Sequence, residues 1–256
     1  MDEPPLELKA RSLYVQCTLE EKMIDFYTLT SPNTQKIFLM LEECDLEYRL
    51  IYVDVWAGEQ YKPEFTKINP NRKVPAIIDH DGPDGEPYTV IESGAILQYL
   101  AEKTGRFLPN VKVKRYETLQ WLVLQVASLG PMCGQLVHFS RDAITGNEYS
   151  TSRYRSEVNR LFDLYDDRLA THRYVACDEY TIADIAAFPW LRHVNLLKID
   201  LSSRPSIKRW IDEIEQRPAT KKMLAWLPIA TTKSSRDIAT EDDKDRFFGR
   251  GKYARA

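Results

Sequence analysis

The chain has 256 residues, room for two modest domains that each bury a core, and its 35 basic against 38 acidic residues give a formal charge of −3, which excludes any global attraction to nucleic acid or anionic lipid. No apolar run approaches the roughly 20 residues that a bilayer span needs, so no membrane segment is predicted, and the acidic, proline-bearing start (Met1 to Pro5) lacks the basic and apolar regions of a signal peptide. Cys17, Cys44, Cys133 and Cys177 lie far apart without a CxxC pair, the pattern of reduced thiols in a cytoplasmic protein and of neither a disulfide framework nor a metal site.

Residues 1–22 show no sustained periodicity and read as a loose arm. Ile24-Asp25-Phe26-Tyr27-Thr28 alternates as a strand, and Ser31-Pro32-Asn33 reads as a turn into a helix that runs to about Glu43. Tyr48 to Val53, rich in β-branched and aromatic residues, is a second strand. Asp54 to Asn71 is a polar connection with Gly58, two prolines and a short helical turn. Pro75 to Ile78 and Tyr88 to Ile91 bracket Asp81-Gly82-Pro83-Asp84-Gly85, a turn between antiparallel strands, and a helix follows from Ser93 to about Lys103. This order over residues 23–104 is that of an α/β thioredoxin-like domain.

After Thr104-Gly105 the strand signals stop. Leu119, Leu122, Val123 and Val126 fall at helical spacing, as do Tyr154, Val158, Leu161, Phe162, Tyr165 and Leu169, and Ile207, Trp210, Ile211 and Ile214. Thr181-Ile182-Ala183-Asp184 reads as a capping box with Asp in the Glu/Gln slot, opening a buried helix toward Trp190. Residues 112–227 are therefore predicted to be all-α. Past Pro228 the chain is charged and poor in apolar residues apart from Phe247-Phe248, and residues 228–256 read as a frayed or surface-wrapped tail.

Two places carry chemistry. In Asn71-Arg72-Lys73-Val74-Pro75-Ala76-Ile77-Ile78 a proline stands where an apolar strand begins, and a cis peptide there would turn the N–H and C=O of Val74 outward to pair with an extended peptide. In Ile91-Glu92-Ser93-Gly94-Ala95-Ile96, Ser93 has the position of a helix N-cap, where a hydroxyl and free N–H groups meet the positive end of the dipole. A backbone edge beside an anion socket suits a short acidic peptide. Asn33 falls at the start of the first helix, where its amide can donate to a thiolate and the dipole lowers a thiol's pKa; an ordinary helix cap reads equally well from spacing.

A thioredoxin-like half with Val-Pro and Glu-Ser-Gly-Ala-Ile, followed by an all-α half with Thr-Ile-Ala-Asp, resembles the cytosolic glutathione transferase superfamily over roughly residues 23–225. Thr30-Ser31-Pro32-Asn33-Thr34-Gln35-Lys36, Gly58-Glu59-Gln60-Tyr61-Lys62-Pro63-Glu64-Phe65, Ile68-Asn69-Pro70-Asn71 and Asp178 to Asp184 together are similar to its Nu class. Bacterial members of that class are glutathione-dependent disulfide-bond oxidoreductases, and the fungal nitrogen-catabolite regulator is a relative. The resemblance implies glutathione as cosubstrate, no metal, small disulfides or electrophiles as second substrates, and a homodimer without nucleic-acid or membrane partners.

By the same resemblance Asn33 contacts the glutathione thiol, and Ser31 stands at the hydroxyl position beside it. Gln60 and Lys73 face the glycyl carboxylate, Val74 beside Pro75 pairs with the cysteinyl backbone, and Glu92 and Ser93 hold the γ-glutamyl end. Arg153 matches a position from which the neighbouring subunit reaches into the site. Local readings compete at several of these places: Ser31 as a turn hydroxyl, Gln60 as an exposed side chain, Arg153 as part of a solvated helix face. Tyr27 reads as a packing residue of its strand. No cysteine occupies the thiol position near Asn33, which disfavours a protein thiolate, and Cys133 reads as a buried structural thiol. The stretch Leu129 to Phe139 is expected to line the second-substrate site, with His138 and Phe139 giving shape or serving structure alone. Thr34 departs from the class, standing where Gly is common and crowding the helix entrance. Conjugation of electrophiles, reduction of organic hydroperoxides and a non-catalytic glutathione-binding regulatory role are the alternatives.

Overall fold

The structure is a computed structural model that describes residues 23–143 and 145–254; the predicted arm over 1–22 and Cys17 lie outside them. In chain order the elements are β1 (Ile24–Thr28), α1 (Pro32–Glu43), β2 (Tyr48–Tyr52), α2 (Pro63–Ile68), β3 (Ala76–Asp79), β4 (Tyr88–Ile91) and α3 (Ser93–Thr104). There follow α4 (Lys112–Leu124), α5 (Gly130–Val137), α6 (Glu148–Thr171), α7 (Ile182–Leu191), α8 (Val194–Leu197), α9 (Pro205–Glu215), α10 (Pro218–Thr231) and α11 (Glu241–Phe248). The chain divides into two compact units, one of Met1–Thr30, Asp45–Glu92 and Pro228–Ala256, the other of Ser31–Cys44 and Ser93–Leu227.

The first unit holds a four-stranded sheet in the order β2-β1-β3-β4, with β2 parallel to β1 and the other pairs antiparallel. Phe26 pairs with Leu50 on one side and Ile77 on the other, and Phe26 and Ile77 are wholly buried. Asp25 is buried too, held by Arg49 in two bonds of 2.9 Å and by His80 at 3.1 Å. Burial pushes its carboxyl up, but Arg49 and His80 pull harder and leave it below the usual value. Tyr27 packs its ring on Phe65 at 5.9 Å, the packing role its strand position predicts. The predicted polar connection contains a tight helical turn, Glu59–Tyr61, and α2.

The second unit is helical and centres on α7. Its capping box is present: Thr181 Oγ1 accepts from the Ala183 N–H, and Asp184 Oδ2 accepts from the Thr181 N–H and hydroxyl at 3.0 and 3.1 Å. Asp184 Oδ1 also accepts from Val175 N and from Trp210 Nε1, both at 2.9 Å, which ties α9 to the start of α7. Trp210, Tyr165, Phe162 and Phe188 fill the core around it.

Two expectations need correction. Lys112–Asp142 forms one continuous helical stretch of 31 residues, long and apolar enough by length and composition to cross a bilayer. Gln120, Gln125, Ser128, Gly130 and Gln135 interrupt its apolar run and hide that length from a count of consecutive apolar residues. Leu122, Leu129, Cys133 and Leu136 bury one face of it in the helical unit. The other correction concerns the tail. Pro228 lies inside α10 rather than ending it, and the charged segment beyond folds into α11, capped by Thr240 and Asp243 and tied by Lys244–Glu241 and Arg246–Asp243 pairs. Phe247 stacks on Trp56 at 4.3 Å, and Arg246 Nη2 donates to Trp56 O. A short apolar pair on a helix of paired charges anchors the segment to the sheet unit.

Candidate functional site

In the sheet unit the predicted residues gather on the loop before β3. Asn69 organises it: its Nδ2 donates to Lys73 O at 2.7 Å, its Oδ1 accepts from Asn71 N, and its backbone carbonyl accepts from Arg72 N. Arg72 takes φ +57° to make that turn, and Lys73 stands exposed next to it. The Val74–Pro75 peptide is cis, as the sequence predicts, and the N–H and C=O of Val74 take no partner among the described residues. Gln60, for which an exposed side chain is the competing reading, is only 3 % accessible, and its buried Oε1 has no partner among the described residues. Asn71 Nδ2 donates to Glu92 Oε1 at 3.0 Å. Tyr61, Arg72, Lys73, Arg246, Phe247 and Phe248 border a cavity of about 630 Å³.

Glu92 and Ser93 are consecutive, and here the sequence reading shifts by one. The helix α3 begins at Ser93 itself, so Glu92 takes the place before it, at φ +67°. A left-handed glutamate costs conformational energy and marks a place where the surroundings dictate the backbone. Ser93 therefore offers a first-turn N–H and a hydroxyl rather than a cap.

In the helical unit Ser31 caps α1, accepting from Thr34 N at 3.3 Å, with Pro32 at the first helical position and Asn33 next. Thr34 does not crowd the entrance: it is buried, and its hydroxyl donates back to Ser31 O at 2.8 Å. Asn33 is half-buried and its Oδ1 accepts from Trp190 Nε1 at 3.2 Å. Ser93 Oγ accepts from Lys36 Nζ at 3.2 Å, and the same Nζ donates to Gln125 Oε1 at 2.7 Å. Arg153 is exposed on α6, 3.8 Å from Glu157. Phe139 stacks on Tyr154 and meets His138 edge-on, so these rings pack on one another.

The three described thiols are poor nucleophiles. Cys44, at the end of α1, Cys133 and Cys177 are all buried, and burial pushes Cys133 up to about 12. Among the described residues no group of three or more His, Cys, Asp or Glu is placed to hold a metal ion.

Lys36, Gln125 and Trp190 were missed by the sequence reading. Lys36 left one trace: a lone lysine opening the run Ile37-Phe38-Leu39-Met40-Leu41 on a helix that must bury that face.

A thioredoxin-like sheet unit with a cis Val74–Pro75 peptide and an all-helical unit define a glutathione S-transferase. Two family descriptions match in sequence, Glutathione S-transferase, N-terminal domain over residues 30–103 and Glutathione S-transferase, C-terminal domain over residues 129–218, and the chain belongs to that superfamily. It is 48 % identical to the disulfide-bond oxidoreductase YfcG of Escherichia coli over 203 residues, 79 % of this chain and 94 % of that protein. A glutathione transferase from Burkholderia graminis, solved with two glutathione molecules per subunit, is 40 % identical with a TM-score of 0.74, covering 79 % of this chain and 88 % of that one. A glutathione transferase from Pseudomonas putida, solved with one glutathione disulfide per subunit, is 38 % identical with the same TM-score, covering 79 % and 91 %. These likenesses agree with the Nu-class resemblance of the motifs.

Proposed function

We propose that this chain is a glutathione-dependent disulfide-bond oxidoreductase that uses bound glutathione, and no cysteine of its own, as the nucleophile. The observation that carries the reading is Asn33. Its carbonyl oxygen is taken by Trp190, so its amide N–H groups and the free first-turn N–H of α1 are left as donors for an anionic sulfur, while the described cysteines are buried. Gln60, Lys73 and the Val74 backbone keep the roles of holding the glycyl and cysteinyl parts; Glu92 and Ser93 keep the γ-glutamyl end. Ser31 spends its oxygen on the helix cap and supports the thiol through its turn.

The chemistry is two exchanges. The glutathione thiolate attacks one sulfur of a small disulfide, forming a mixed disulfide and expelling the other half as thiolate. A second glutathione thiolate attacks the glutathionyl sulfur of that mixed disulfide, giving glutathione disulfide and the second substrate thiolate. The relatives solved with two glutathiones or with glutathione disulfide support this sequence. We also propose a cytoplasmic homodimer in which Arg153, exposed on α6, serves the partner's site.

Turnover of 2-hydroxyethyl disulfide with glutathione, coupled to glutathione reductase, tests the reading in wild type, Asn33→Ala and a Cys-free variant. Activity in wild type and the Cys-free form with its loss in Asn33→Ala is expected. A wild type that binds glutathione yet reduces no disulfide would overturn the reading and put conjugation or regulation first.

A further inference from the structure

We infer that Trp190 is a positioning residue for the thiol chemistry, setting the polarity of the Asn33 amide; this rests on the reading of Asn33 above. An asparagine amide has one accepting end and one donating end, and nothing in its own shape decides which faces a ligand. The indole N–H can only donate. Because Trp190 Nε1 lies 3.2 Å from the amide, the end facing it must be Oδ1, and the Nδ2 hydrogens are turned the other way. A thiolate can only accept. The indole thereby selects the one amide orientation that stabilises it and opposes the flipped one, which would set two donors against each other.

The fold secures the indole at the right height. Trp190 is the ninth residue of α7, next to Pro189, on a helix whose start is locked by the Asp184 capping box. Its Nε1 also lies against Gly130, where an added Cβ would stand 3.5 Å from Nε1 and 3.0 Å from Gln125 Nε2. Gly130 follows directly on the π-type turn Gln125–Leu129, which places an extra residue in the helix and brings the Gln125 carboxamide inward. One small residue thus admits both the indole edge and the Gln125 amide, the former serving Asn33 and the latter Lys36.

The test is a double-mutant cycle of Trp190→Phe and Asn33→Ala, read by the ultraviolet absorbance of the glutathione thiolate in the complex as a function of pH. Trp190→Phe keeps a ring in place and removes the N–H. It is expected to raise the pH at which bound glutathione ionises by roughly one unit, with a smaller change in the KM for glutathione than in kcat. The same replacement in the Asn33→Ala background is expected to change the ionisation no further, because an indole acting through the amide has nothing left to act on. Equal effects in both backgrounds would mark a packing role and overturn the inference. An unshifted Trp190→Phe beside a shifted Asn33→Ala would overturn it too while leaving the function standing. An unshifted Asn33→Ala would remove the thiolate reading of Asn33 and this inference together. A matching thermal unfolding profile for each variant confirms that the comparison is between folded proteins.

Discussion

Lys36 Nζ donates across 3.2 Å to the hydroxyl oxygen of Ser93 from a position in α1 that is 1 % accessible. A lysine ammonium carries donors and no acceptor, so Ser93 spends one lone pair inward and keeps its O–H to donate to a ligand. This suits the γ-glutamyl carboxylate proposed there. Replacing Lys36 by Met leaves a side chain of similar length in an apolar setting, so the fold is expected to survive. Hydrogen bonds involving a charged group are worth about 1.5–3 kcal/mol, so glutathione binding is expected to weaken about tenfold to a hundredfold. Calorimetric titration with glutathione checks this, and unchanged affinity would separate Lys36 from the site.

Cys133 is fully buried and burial holds its thiol up to about 12. Near pH 7 its thiolate is then on the order of one part in 10⁵. Iodoacetamide is expected to leave Cys133 untouched in the native protein and to label it after denaturation, as read by peptide mass. Cys133→Ala is expected to retain disulfide reduction, at the cost of about 1 kcal/mol for the small void.

Asp184 sets a pH dependence. Burial pushes its carboxyl from 3.8 up to about 6, against four hydrogen bonds from Val175, Trp210 and Thr181 that favour the ionised form. Between about pH 4 and 6 the folded chain therefore holds a proton that the unfolded chain has released, so this residue's contribution to stability falls as pH rises through that window and levels off above it. Urea unfolding at several pH values is expected to show that decline in wild type and its absence in Asp184→Asn. The variant also loses acceptors for buried donors, with a cost of about 2–4 kcal/mol throughout.

Trp56 is the main anchor of the α11 segment, meeting Phe247, Phe248 and Arg236 through its ring and Arg246 through its carbonyl. Phe247→Ala removes the stack on Trp56 and is expected to loosen residues 232–254 without unfolding the sheet. Limited proteolysis should cut the variant in that segment well before wild type. At Gly58, φ +84° combines with an Arg246 Nε that would stand 2.8 Å from an added Cβ, so Gly58→Ala is expected to release the segment in the same way.

What the sequence disclosed follows the range of the interactions concerned. The alternation Ile24 to Thr28, the turn at Asp81 to Gly85 and the Thr181–Asp184 box are written in neighbouring residues, and each stands where the spacing places it. The cis Val74–Pro75 peptide was legible for the same reason. Gln125 and Trp190 were not, because their partners Lys36 and Asn33 lie 89 and 157 residues away and no local pattern joins them. The helix at Glu241–Phe248 escaped notice because its stability comes from charge pairs three residues apart and one aromatic stack, with little apolar periodicity to announce it.

The sheet unit takes its last piece from Pro228–Ala256, after the whole helical stretch Ser93–Leu227 has intervened. During synthesis, then, the strands emerge first and wait. Trp56 has no Phe247 to cover it until nearly two hundred further residues have been made. The strands are made before the helical stretch yet their unit is finished after it, so a chain stalled short of residue 247 carries a four-stranded sheet with the Trp56 ring still open to solvent and chaperones.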